Sequence, residues 1–172
     1  MKTSIKKEDF IESISDALQF ISYYHSEDFI LSMREAYDKE TSIPAKDAML
    51  QILTSSKMSA MGQRPICQDT GIVIAFIEVG MNVEWVSDLS IEDMVNEGVK
   101  RAYTNKDNPL RPSMVLDPAG KRQNTKDNTP AVTHVKLIQG NKVHVSVSAK
   151  GGGSENKAQF TTLNPSDSIV DW

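Results

Sequence analysis

The hydrophobic period of this chain changes once, near Gly62, and that change constrains the fold more than any other feature. Before it, Phe10, Ile11, Ile14, Leu18 and Ile21 recur at three- and four-residue spacing, as do Phe29, Ile30, Met33 and Tyr37. Such spacing places each set on one face of a helix. Ser42 and Pro44 open a third helix, with Met49, Leu50 and Leu53 as its expected buried face. Thr3 or Ser4 is suited to cap the first helix, and Ser26, followed by Glu27 and Asp28, to cap the second. After the change, Pro65 blocks helix continuation. Ile72–Val79 is apolar and β-branched and ends at Gly80, which predicts a largely buried strand. Ser90 and Asp93 form a capping box ahead of a fourth helix marked by Met94, Val95, Val99 and Ala102. Val132–Ile138 and Lys142–Ser148 alternate around Gln139, Gly140 and Asn141, which predicts a β-hairpin. Ala158–Leu163 is a weaker strand candidate. The expected class is α+β: an N-terminal helical layer (residues 1–61) packed on a small mixed or antiparallel sheet. The sheet and loops occupy residues 62–172 of the same single domain.

A chain of 172 residues buries ~70% of the surface its unfolded form exposes, so it needs no staple to build a core. With 39% hydrophobic and 24% charged residues it is neither disordered nor fibrous. A net charge of −4 argues against nucleic acid as the main partner. A lone cysteine, Cys67, excludes an intramolecular disulfide. The longest apolar run, Ile72–Ile77, falls far short of the ~20 residues that span a bilayer. These features predict a soluble cytoplasmic domain with no membrane partner. Near the end, Asn164, Pro165, Ser166 and Asp167 read as a helix start with about one turn of chain left to run. The expectation is a piece of a longer protein.

Four segments carry candidate chemistry. Arg64–Gly71 packs a cation, a thiol, an amide, an acid and a hydroxyl into the entry of the first long strand. Cys67 is either a structural cysteine or a ligand whose fellow ligands lie elsewhere, since an all-cysteine metal site needs about four thiolates. Lys150–Lys157 contains Gly151, Gly152 and Gly153 between lysines. It suits either a flexible turn or a backbone nest for an anion. Arg111 lies between Pro109 and Pro112, which restrict where its guanidinium can point. Asn124–Pro130 is dense in turn formers and reads equally as a plain loop. The whole stretch Lys106–Thr129 is long and polar, which in a compact domain marks a functional or disordered loop. His25, His134 and His144 are weak signals.

Taken together these segments resemble the class I fumarate hydratases, the iron–sulfur hydro-lyases. The resemblance rests on RPICQDTG at Arg64–Gly71, LRPS at Leu110–Ser113, NTKDNTPA at Asn124–Ala131, AKGGGSENK at Ala149–Lys157 and LNPSDSIVDW at Leu163–Trp172. The related tartrate dehydratase α subunits share the CQDTG element and a glycine-rich segment, so tartrate stands beside malate and fumarate as a substrate. The resemblance implies a 4Fe–4S cluster held by three cysteines, of which Cys67 matches the first and two lie beyond Trp172. It implies that Gln68 and Asp69 contact substrate near the open iron, with Asp69 the catalytic residue. It also implies that Arg111 grips a carboxylate, that the Gly152 backbone binds another oxygen and that Lys150 assists electrostatically. A second domain would supply the base, and the intact enzyme is expected as a homodimer. On one thiol the present chain alone is expected to be inactive. The competing expectation is a non-enzymatic anion-binding module, in which Cys67 is packed in apolar surroundings.

Overall fold

A computed structural model describes residues 2–155 and 157–170. In chain order the elements are β1 (Thr3–Lys6), α1 (Lys7–Tyr23), α2 (Glu27–Lys39), α3 (Ile43–Gly62), β2 (Ile72–Gly80), β3 (Val83–Val86) and α4 (Ile91–Tyr103). There follow β4 (Val115–Leu116), β5 (Gln123–Asn124), β6 (Val132–Ile138), β7 (Val143–Lys150) and the single-turn α5 (Gly152–Glu155). The fold is α+β, with a helical layer against a three-stranded sheet of order β6-β2-β7. No helix among the described residues is long and apolar enough to cross a membrane.

The core forms where period meets period. Every second residue of β2 (Val73, Ala75, Ile77 and Val79) is buried on one face of the sheet. The predicted stripe of α1 (Phe10, Ile11, Ile14 and Leu18) and that of α4 (Met94, Val95, Val99 and Ala102) join those strand residues in one cluster. Each fully buried aliphatic side chain contributes ~1.5–3 kcal/mol. Gly98 lets α1 and α4 approach closely: a Cβ there would lie 2.7 Å from the Ile14 Cβ. The capping box is present, since Ser90 Oγ accepts the Asp93 N–H at 3.1 Å and donates to the Asp93 carboxylate at 2.7 Å.

Several expectations are corrected. Thr3 and Ser4 do not cap α1; they belong to β1, which pairs in parallel with β3. Two short strands of four residues each carry too little alternation to stand out beside a strong helix signal. Ser26 and Ser42 occupy N-cap positions without a side-chain cap bond. The expected buried face of α3 is only half-covered at Met49 and Leu53, Leu50 is exposed, and the buried residues of α3 are Ser56 and Ser59. The helical layer on the sheet is therefore α1 with α4, while α2 buries no residue fully. Residues 158–163 form no strand, and Asn164–Asp167 is a turn closed by Asp167 N–H to Asn164 O at 3.0 Å.

The predicted hairpin is split. β6 and β7 exist with nearly the expected bounds, yet β2 lies between them, parallel to β6 and antiparallel to β7. β2 is the most apolar strand and takes the central position, where both edges are covered. The Gln139–Lys142 connection passes over its end instead of folding β6 onto β7. There Gly80 N–H donates to Lys142 O at 2.9 Å, Met81 N–H to Ile138 O at 2.9 Å and Asn82 N–H to Gly140 O at 2.8 Å. Gly80 is required at this crossing, since a Cβ would stand 2.6 Å from Gly140 O.

Candidate functional site

The order β6-β2-β7 decides which loops meet. Ile72, at the start of β2, pairs with Lys150 at the end of antiparallel β7. Ile74 pairs with Val132 at the start of parallel β6. One end of the sheet thus gathers the loop before β2 (residues 63–71), the glycine loop after β7 and the long loop before β6. All four candidate segments lie in those loops.

Each loop is tied down by named bonds. Gln63 ends α3 in the left-handed region (φ 46°), and Ile66 N–H donates to Ser22 O on α1 at 2.8 Å. Tyr103, buried on α4, donates its hydroxyl to Thr70 O at 3.2 Å. Burial pushes that hydroxyl's pKa up, the Thr70 hydrogen bond opposes the shift, and the Asp69 charge adds to it. Gly71 has φ +71°, and a Cβ there would lie 2.0 Å from Lys150 O. Only glycine lets the loop before β2 touch the backbone that leads into the glycine loop.

Asp69 is the point of convergence. With Gln68, Arg111, Pro112, Ser113 and Asn124 it lines an open, mostly polar cleft of about 320 Å3. With Cys67, His25 and Ala149 it lines a neighbouring cleft of about 230 Å3. Its Oδ2 accepts the Gly153 N–H at 3.3 Å, and a Cβ on Gly151 would stand 3.2 Å from the same oxygen. Gly152 lies against it as well, its Cβ position 3.7 Å from Oδ2. Arg111 donates from Nη1 to Gln68 O at 3.4 Å. Gln68, Asp69 and Arg111 thus line one opening, and Gly152 lies against the Asp69 carboxylate beside it. Lys150 is exposed at the end of β7 beside them.

Cys67 is exposed, which departs from the packed, structural cysteine that the binding-module expectation requires. Toward an iron–sulfur cluster this chain offers that single thiol. Among the described residues no group of three or more His, Cys, Asp or Glu side chains is placed to hold a metal ion. An accessible thiol beside a carboxylate at a cleft fits one corner of a cluster whose other ligands come from elsewhere. The chemistry available to the chain itself is recognition of an anion by Arg111 and backbone N–H groups, next to the Asp69 carboxylate.

Sequence reasoning placed Thr70, Ser113 and Asn128 inside candidate segments and gave none of them an individual role. The Thr70 hydroxyl donates to Arg111 O, and Ser113 Oγ accepts the Gly71 N–H at 3.3 Å. Asn128 is completely buried, although it sits in a stretch that reads as a plain turn-rich loop. The RPS and NTP contexts of Ser113 and Asn128 are the signals present, and neither separates a buried clamp from a solvated turn.

The family model for fumarate hydratase (Fumerase) matches residues 11–172. A Methanocaldococcus jannaschii chain, provisionally assigned as an L(+)-tartrate dehydratase subunit alpha, is 33% identical over 150 residues, covering 85% of this chain and 52% of the relative. The class I, anaerobic fumarate hydratase of Escherichia coli K12 is 34% identical over 121 residues, covering 70% of this chain and 22% of the relative. The L(+)-tartrate dehydratase subunit alpha of E. coli UTI89 is 25% identical over 158 residues, covering 91% of this chain and 51% of the relative. The chain spans about half the length of the tartrate dehydratase subunits and about a fifth of that fumarate hydratase. By its family match and by the motifs gathered at one end of its sheet, the chain belongs to the fumarate hydratase (Fumerase) family, a family of hydro-lyases.

Proposed function

We propose that the chain is the front part of the cluster-bearing region of a class I fumarate hydratase, which interconverts (S)-malate with fumarate and water. The observation that carries this is the position of Asp69, shared between the Gln68–Arg111 cleft, the Cys67 cleft and the glycine loop. In this reading Cys67 supplies one thiolate to a 4Fe–4S cluster, and the rest of the enzyme supplies two more. When bound, the cluster adds Lewis acidity toward the hydroxyl that leaves as water. Arg111 takes one substrate carboxylate on its forked N–H donors. The Gln68 amide and the Gly152 backbone N–H hold further substrate oxygens, and Asp69 accepts the hydrogen bond of the substrate hydroxyl. Lys150 adds positive potential that draws a dianion to the opening. The base that removes the proton from the neighbouring carbon belongs to the part of the enzyme outside this chain, and the intact form is a homodimer.

A second reading keeps the hydro-lyase chemistry and exchanges the substrate for L-tartrate. It is supported by the tartrate dehydratase alpha subunits, which align with 85% and 91% of this chain. The test is steady-state kinetics of the intact enzyme on malate and on L-tartrate, with iron and sulfide content measured in parallel. Fumarate formation from malate is expected, with Cys67→Ser abolishing turnover and stripping iron. Turnover of L-tartrate without malate would move the assignment to the second reading. A Cys67→Ser enzyme with near-normal activity and full iron content would overturn the ligand assignment.

A further inference from the structure

We propose that Asn128 is a positioning residue of this site, holding the Arg111 loop in register with the Asp69 loop so that guanidinium and carboxylate face the same dicarboxylate. The inference rests on the function proposed above and adds a residue to it. Asn128 has no exposed surface (0%). Its Oδ1 accepts two backbone N–H bonds, from Ser113 at 2.7 Å and from Met114 at 3.0 Å. Its Nδ2 donates to Gly71 O at 2.9 Å. One side chain thereby bridges two loops that lie far apart in sequence.

The bridge lands close to the groups that matter. Ser113 is two residues after Arg111, and Gly71 is two residues after Asp69. Three further bonds join the same loops without Asn128: the Thr70 hydroxyl to Arg111 O, Gly71 N–H to Ser113 Oγ, and Arg111 Nη1 to Gln68 O at 3.4 Å. Residues 104–131 contain only the two-residue strands β4 and β5 as regular structure. Arg111 therefore depends on these few bonds for its place. Asparagine suits the position on two counts. Its backbone lies at φ +62°, a region asparagine tolerates better than most residues. It also combines an acceptor and a donor in one planar group. Aspartate keeps the shape and the acceptors and loses the donor toward Gly71 O.

The role separates from simple core filling by its kinetic signature. A group that only supports the fold changes the melting temperature and the fraction of active enzyme, not the KM of the molecules that remain active. A group that registers Arg111 changes KM, and its effect depends on Arg111 being there. The experiment uses the intact holoenzyme with Asn128→Asp, Thr70→Val, Arg111→Lys and the double variant Asn128→Asp/Arg111→Lys. Kinetics on the preferred dicarboxylate are normalised to iron content, and each melting temperature is recorded. Asn128→Asp and Thr70→Val are each expected to raise KM ~10-fold or more, because small misplacements of a binding group are costly. In the Arg111→Lys background, Asn128→Asp is expected to add less than ~3-fold. If Asn128→Asp does not fold, Asn128→Ser, which is uncharged and too short to bridge from Ser113 N–H to Gly71 O, carries the same test, with Thr70→Val reporting the neighbouring bond to Arg111 O. Lowered melting temperatures with unchanged KM, or fully multiplicative effects in the double variant, would overturn the positioning role. An unchanged KM in Arg111→Lys alone would instead sink the functional reading on which this rests.

Discussion

Asp69, Arg111 and Cys67 are short-range features of the chain, each recognisable from its immediate neighbours. What joins them is Gly71, whose missing side chain lets Asp69 reach the glycine loop, and Asn128, whose amide spans the gap to the Arg111 loop. Neither announces its role in sequence. A buried Asn and a solvated Asn in a turn have the same neighbours, and only burial separates them. At this scale the prediction concerns Arg111. Arg111→Lys retains the charge and loses the forked donor pair. A hydrogen bond to a charged group is worth ~1.5–3 kcal/mol. A ~10- to 100-fold rise in KM for the dicarboxylate is therefore expected in the intact enzyme, with kcat much less affected, and steady-state kinetics measures it.

Among the elements, α1, α2, α3, α4, β2, β6 and β7 all correspond to segments legible from periodicity. The pairing of the strands does not. β6 and β7 read as a hairpin because adjacent alternating strands usually pair, and β2 displaces that pairing because it offers more apolar surface to cover. The helices sort in a similar way. The stripe of α4 is sharp and its face is buried, whereas α3 has apolar residues around its circumference and leaves Met58 and Met61 exposed. The tightest helix contact passes through Gly98, which sets up an opposition of two effects. Gly98→Ala improves helix propensity by up to ~1 kcal/mol. The added Cβ would lie 2.7 Å from the Ile14 side chain and 2.8 Å from Ile11 O, and overpacking costs ~1–3 kcal/mol. A net loss of stability is expected, read as a lower urea midpoint at unchanged helix content.

For the molecule as a whole, charge ties the N-terminal elements to α4 and to the connection that precedes it. Lys7 pairs with Asp88 at 2.6 Å, and Arg101 pairs with Glu8 and, at 3.0 Å, with Glu97. The Arg101 hydrogen bond holds the Glu8 carboxyl below its ordinary pKa, the Lys7 hydrogen bond does the same for Asp88, and the Lys136 hydrogen bond for Glu78. A carboxyl depressed in the folded state adds stability above its unfolded pKa and loses it as pH falls through the folded value. Stability is therefore expected to be flat from about pH 8 to 6 and to decline below about pH 4.5. Because these pairs are exposed, the individual contributions are small. Urea midpoints across that range check it: Glu8→Gln with Asp88→Asn should lower the neutral plateau slightly and flatten the acid limb. A limb unchanged in the double variant would assign the acid sensitivity to other groups.

The amino-acid sequence by itself determined the helix and strand segments, the capping box of α4, the family resemblance and the residues Cys67, Gln68, Asp69, Arg111 and Gly152 as candidates. The segments and the cap are encoded within a few residues of each other, in period and side-chain type, whereas the resemblance rests on five motifs taken in order and is what implies the roles of the candidate residues. Only the tertiary structure decided that β2 separates β6 from β7 and that α4 rather than α3 covers the sheet. It also decided that the start of β2, the start of β6 and the end of β7 share one end of the sheet. Those outcomes follow from competition among distant surfaces for burial and for backbone hydrogen bonds. That competition is settled only when the whole chain is compact, and its result is what places Asp69 in one cleft with Arg111 and against the glycine loop.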